Sequence, residues 1–418
     1  MVSGQERGNV AMGRTMRIAY FSPLAPMRSK SSSYSEELLP HLCRRVHVDV
    51  FTDDRVAATQ EVGRVYPVYG YRDLIWPERY DQRVYQMGNT PEYVPIYNLF
   101  TRYGGVVTLH NLDLSGLISA KTLGQGDHWG YLREVQRNGG LRPFLQTASD
   151  LLLRGQWSPK ALEMNRMVAQ RAAGVIVHSR AACQHLKARY PGARVREIPM
   201  GMPRPPLIEP AEARRLLHLP ADAFIVLSVG RLVPGKRLHV AMQAVARLLE
   251  RCPNTLYVLV GEPAPDYPVR ELAESLGIAD HVQLAGHVDL ATLYRYLAAS
   301  DVGICLRDPG RLELPASLLR MMSMGKPVIV SNTPPFAELP ATCALKADTG
   351  PGEVAQISAA LWALSGHAPL RQWYGRSAAR FVHTEHTLAA AAQHYAEFLE
   401  GLGAVEAAEE IMLREKTI

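Results

Sequence analysis

The chain has no run of roughly 20 apolar residues, the length needed to cross a bilayer; its longest apolar stretches, such as Phe224–Val229, stop well short. A membrane-spanning helix is therefore excluded as an expectation. The first fifteen residues lack the apolar segment of a secretory signal and read as a disordered leader, 1–15, before Met16, so a cytoplasmic location is expected. Cysteine is scarce, with five residues at 43, 183, 252, 305 and 343 and no C-x-x-C pair, which argues against a disulfide framework and a zinc site. No G-x-G-x-x-G fingerprint, P-loop, H-E-x-x-H or D-x-D motif occurs. Nicotinamide chemistry, P-loop hydrolysis and zinc proteolysis lose their best evidence, and no metal or other cofactor is called for. No RNP-type aromatic motif, zinc finger or dense Lys/Arg block is present, so nucleic acid is not an expected partner.

What remains is a chain of 418 residues, 47% hydrophobic, long enough for roughly two to three domain cores. The net charge of +6 is spread along it and leans toward anionic partners, phosphorylated small molecules among them. Short β-branched runs alternate with helical segments, the pattern of parallel sheets built from βαβ units. This occurs twice. Strands are expected at 18–22, 46–51, 106–110 and 175–179, and again at 225–229, 257–260, 282–284, 302–305 and 328–330. Helices near 238–251, 268–276, 290–299 and 315–324 alternate with the second set. Between the sets, Ile198–Leu207 holds four prolines and a glycine and can continue neither strand nor helix. The expected organisation is an α/β chain with a Rossmann-like domain over 16–199, a linker over 200–218 and a second doubly wound domain over 219–386. A helical segment follows over 387–418 and crosses back to the first domain. Tandem Rossmann-like domains turn the carboxyl ends of both sheets toward a central cleft, where ligands bind.

Four places could carry chemistry there. Gly230 allows a turn directly after a strand, and Arg231 and Lys236 project two cations suited to a pyrophosphate; a solvated basic loop is the plain alternative. The helix expected over 315–324 has Leu318, Met321 and Met322 on its apolar stripe, while Glu313, Ser317 and Arg320 are spaced along another edge. Its N-terminus favours a phosphate, although Glu313 could merely complement the helix dipole and Arg320 could be a surface cation. His110 ends a strand and would point into the cleft; His178 has a similar setting and reads as structural. The basic, serine-rich loop containing Arg28, Ser29 and Lys30 could meet an anion or only cap a helix.

In combination these segments resemble the retaining, nucleotide-sugar-dependent glycosyltransferases of the GT-B fold, group one or family four. Gly230-Arg231 and Lys236 match that family's G-R-x-x-x-x-K diphosphate site. Leu284-Ala-Gly-His-Val288 resembles the loop near the nucleotide base, and Leu109-His-Asn111 the histidine near the donor sugar. Arg311–Val330 and Phe336–Pro340 are similar to a branch reading G-E-T-S-G-S-L-L-R and F-A-E-L-P, with Glu313 on the first Glu. The resemblance implies His110, Arg231, Lys236 and Glu313 as catalytic residues. It implies Gly230, His287, Val288, Leu314, Ser317 and Arg320 around the donor, and Arg28, Ser29 and Lys30 in a diphosphate or acceptor loop. A nucleoside diphosphate sugar and a hydroxyl acceptor are the implied partners, with no metal.

Four departures stand out. Arg320 occupies the position of a ribose-binding Glu, and an arginine accepts no hydrogen bond. Lys30 replaces a common glycine and Ser33 a nearby Asp, and Asn111 replaces a frequent Asp. Lys30, Ser33 and Asn111 motivate a second reading, a non-catalytic GT-B scaffold or partner subunit. Arg133, Arg137, Arg142 and Arg154 punctuate apolar helices and suit weak peripheral contact with a lipid surface, a solvated face being the plain alternative.

Overall fold

The computed structural model describes residues 15–27, 30–57, 65–154 and 162–415. The first sheet contains β1 Arg17–Phe21, β2 His47–Thr52, β3 Val68–Gly70, β4 Gln82–Met87, β5 Val106–Leu109, β6 Gly174–Val177 and β7 Val195–Glu197. Its order is β3-β2-β1-β4-β5-β6-β7 and every pair is parallel. The second sheet is built from β8 Phe224–Val229, β9 Thr255–Val260, β10 Val282–Gly286, β11 Val302–Cys305, β12 Val328–Ser331 and β13 Leu345–Ala347. Its order is β10-β9-β8-β11-β12-β13, again all parallel. Parallel strands need helical crossovers that cover both faces, which is why β5, β6, β11 and β12 are continuous buried runs rather than alternating ones.

One apolar cluster is continuous between the two sheets. It passes from Ile18, Tyr20 and Val84 through Ile198, Met200 and Met202 to Val229, Val258 and Leu318. The long helix Leu388–Glu415 supplies Leu388, Tyr395 and Leu399 to the same cluster and packs along the helix Lys30–Leu42. Two crossings of the chain lie side by side where these parts meet. Met202 N donates to His386 O at 2.7 Å, and a side chain at Gly201 would run into the Leu388 backbone.

The linker expected over 200–218 contains a short helix beyond its proline-rich start. Pro210–Leu216 is a helix, because Pro210 sits where its missing N–H costs nothing. Arg214 then docks this helix on the second domain through Ala299 O and the Asp301 carboxylate.

Candidate functional site

In each sheet the strand order reverses once, between β1 and β4 and between β8 and β11, and a crevice opens at the carboxyl ends of those strands. The loops after β8 and β11 leave adjacent strands at this switch point. They are tied together, with Asp308 N donating to Gly235 O at 3.1 Å.

The first loop is shaped by Gly230. Its φ of +96° is a conformation L side chains rarely adopt, and its N–H donates to Val260 O at 2.7 Å. A Cβ there would stand 2.7 Å from Lys236 Nζ. The glycine thus lets the chain fold back until Lys236 Nζ donates to Val229 O at 2.6 Å, over the end of β8. Arg231 is exposed beside it. Arg237, at φ +52°, starts the helix Leu238–Leu249 and donates to both oxygens of Glu353, at 2.8 and 2.5 Å. Glu353 is wholly buried, so the pair anchors the segment that carries Lys236. Sequence reasoning missed this anchor, since its halves lie 116 residues apart and Glu353 reads merely as an acidic residue opening an apolar helix.

The second loop runs into the helix Ala316–Ser323, with Pro315 at its N-cap and Gly325, φ +70°, just past its end. Leu318, Leu319, Met321 and Met322 are buried against the sheet. Leu314 is also buried, and Ser317 is half-buried in the first turn. Glu313 lies before the helix, and its Oε1 accepts from Leu112 N at 2.8 Å, across the crevice. Ser179 Oγ donates to Leu312 O at 2.6 Å, and Arg311 approaches Asp113 at 3.6 Å. The loop carrying Glu313 is therefore stitched to the chain just after His110 and His178.

The expectation that Glu313, Ser317 and Arg320 line one edge is corrected. Glu313 is outside the helix, and Arg320 turns away into a buried site. Its Nη2 donates to Glu37 Oε1 at 2.6 Å and its Nη1 to Tyr294 OH at 2.7 Å. Arg320 is not a surface cation in this arrangement; it bridges the two halves of the chain. Burial pushes the Glu37 carboxyl above the usual carboxylate range even with the guanidinium against it.

His110 is buried at the end of β5, where Nε2 donates to Gln86 Oε1 at 2.8 Å. Gln86 Nε2 in turn donates to Thr108 Oγ1 at 3.1 Å, and Thr108 Oγ1 meets Tyr395 OH at 3.1 Å. A polar chain thus links the first domain's histidine to the C-terminal helix. His287, exposed, and Val288, half-buried, sit in the turn after β10. Two strand spacings separate that turn from the β8 loop, about 10 Å. Arg28 and Ser29 lie outside the described residues, as does the leader 1–14, and of Lys30 only the backbone is described, at the start of its helix. Among the described residues no cluster of His, Cys, Asp or Glu could hold a metal ion.

The same two-sheet arrangement is seen in the solved structure of Anabaena HepE in complex with UDP-glucose. It matches with a TM-score of 0.63, over 92% of this chain and 100% of that one, at 17% identity. The fold is GT-B. Within this GT-B chain, residues 211–342 match the model of the family described as glycosyl transferases group 1. That segment holds Gly230, Arg231, Lys236, His287, Glu313 and Arg320. The lipopolysaccharide core biosynthesis glycosyltransferase LpsE of Rhizobium meliloti is 32% identical over 120 residues, 29% of this chain and 33% of that protein. A D-inositol 3-phosphate glycosyltransferase of Thermobifida fusca is 33% identical over 131 residues, 29% of this chain and 30% of its own. The similarity to these relatives spans only about a third of their length.

Proposed function

We propose that this GT-B chain is a retaining, family-four glycosyltransferase, moving a sugar from a nucleoside diphosphate sugar to an acceptor hydroxyl without a metal. The observation that carries the reading is the Glu313–Leu112 bond. It brings the carboxylate of the group 1 segment to within two residues of His110, and the loop that carries it is tied to the cationic loop of Gly230–Lys236 through Asp308 N and Gly235 O. Arg231, Lys236 and the N–H groups opening Ala316–Ser323 would stabilise the leaving diphosphate as its bond to the anomeric carbon breaks. Glu313 and His110 would hold the sugar between them. The acceptor oxygen bonds to that carbon from the face the diphosphate leaves, and its proton passes to a donor phosphate oxygen. HepE is described in complex with UDP-glucose, which supports a nucleotide-sugar donor here.

Incubation with a panel of UDP-, GDP- and ADP-sugars tests the reading, through slow donor hydrolysis and nucleotide-dependent melting shifts. Silence toward every nucleotide would leave the non-catalytic scaffold as the better account. Activity abolished by a chelator and restored by magnesium would refute the metal-free step.

The acceptor side has one further feature. The helices His128–Gly139 and Leu141–Arg154 pack as a hairpin that exposes Trp129, Leu141 and Leu145 beside Arg133, Arg137 and Arg142. No described helix is long and apolar enough to cross a membrane. The proposal is peripheral contact of this hairpin with anionic lipid, near a lipid-linked acceptor. Co-sedimentation that does not distinguish phosphatidylglycerol vesicles from phosphatidylcholine vesicles would remove it.

A further inference from the structure

His178 ends β6 as His110 ends β5, and the two rings are 5.2 Å apart between centroids. Tyr34 lies edge-on to both, at 5.4 Å from His178 and 5.7 Å from His110. His178 is only 6% exposed. Its Nδ1 faces Ile198 O at 2.9 Å, and a carbonyl can only accept, so Nδ1 carries the ring proton. Burial also lowers the pKa of this histidine to about 4, so the ring is neutral. The second nitrogen, Nε2, is then a lone-pair acceptor. It is buried and meets no donor among the described residues.

A buried acceptor without a partner is rare in folded proteins and destabilises them. The position adds a reason for the histidine. The next residue, Ser179, is bonded to Leu312 O, so the loop that carries Glu313 closes directly over the end of β6. The neighbouring ring is His110.

We infer that His178 is a ligand-binding residue whose Nε2 accepts a hydrogen bond from a sugar hydroxyl held in the crevice between the two sheets. The inference rests on the glycosyltransferase reading and adds to it a group in the first domain that reads the sugar. A hydroxyl fits because the group offered is a neutral acceptor, which a phosphate or carboxylate oxygen cannot satisfy. The sugar is that of the donor or that of the acceptor. Hydrogen-bonding ligand hydroxyls is the use that also makes an unpaired acceptor tolerable in the ligand-free protein.

The test compares wild type with His178→Leu, which removes the acceptor, and His178→Gln, which keeps one. Melting temperature is measured without ligand, and kinetics with the nucleotide-sugar panel, both as donor hydrolysis alone and as transfer. Expected is a His178→Leu protein that melts somewhat lower than wild type, because Ile198 O loses the Nδ1 hydrogen bond, with a KM raised about tenfold or more, largely recovered in His178→Gln. Affinity for the nucleoside diphosphate without sugar should not change. A KM effect already present in hydrolysis assigns the hydroxyl to the donor, and one confined to acceptor titrations assigns it to the acceptor. Unchanged KM in both arms, in a wild type that does turn over donor, overturns this inference alone. A wild type inert toward all nucleotide sugars overturns the transferase reading, and this inference with it. If His178→Leu does not fold, 15N spectra of the wild-type imidazoles decide: an unprotonated Nε2 that shifts with nucleotide sugar is expected, and a protonated Nε2 refutes it.

Discussion

Replacing Arg320 by methionine would leave Glu37 in a site shaped for an ion pair. The two side chains are 7% and 14% exposed, and the guanidinium also holds Tyr294 OH. Removing one member of a buried pair costs about 3–5 kcal/mol, most of it from the charge left behind. For a domain of this size that is a fall of roughly 6–20 °C in melting temperature. The effect has a pH signature. Burial already raises the Glu37 carboxyl, and loss of the guanidinium raises it further. A carboxyl raised in the folded state holds its proton more tightly there than in the unfolded chain. The penalty is therefore absent below the ordinary carboxyl value near ~4.3 and grows as pH rises through the folded value. Thermal unfolding of R320M should show a larger deficit at pH 8 than at pH 5. The double variant E37M/R320M should recover most of it, because apolar replacement of both partners leaves no buried charge. A deficit equal at both pH values, or a double variant as weak as the single one, would refute the reasoning.

Three other outcomes are expected. Gly230→Ala strains a φ of +96° and drives its methyl toward Lys236 Nζ, so about 1–3 kcal/mol of stability should be lost, with donor affinity falling further than melting. Arg237→Met strands the buried Glu353 and should cost about 3–5 kcal/mol, trimmed by that carboxylate's place at a helix start; chemical denaturation checks it, and Glu353→Gln in the same chain should restore part. Glu313→Gln still accepts from Leu112 N, so melting should move by about 1 kcal/mol or less while transfer drops about 100-fold or more; full activity would remove Glu313 from the site.

The long, apolar, β-branched strands were legible because burial on both faces leaves no room for polar alternation. β4 was not, since Gln82 and Gln86 interrupt it; both are buried, and Gln86 is polar because it holds His110. β3, β7 and β13 are three-residue strands, too short for any period to show. The positions of Gly230 and Lys236 after β8 followed from strand–loop–helix order, whereas Glu313, expected along a helix edge, lies in the loop before that helix. Arg320 could not be placed that way. Its partner Glu37 lies 283 residues earlier and at the level of sequence is one of two adjacent acidic residues on a helix. His178 was set aside as structural for the same kind of reason, because an orphaned nitrogen is a property of three dimensions.

The C-terminal helix has a consequence for how such a chain can be recombined. Leu388–Glu415 is last in sequence, yet Tyr395 lies against Thr108 of the first sheet and the helix runs along Lys30–Leu42. A chimera that joins this first half to a foreign second half at the linker would also import a foreign lid for the first half's own core. The natural cut is therefore double, at the paired crossings near Met202 and His386, and the exchangeable unit is the segment between them.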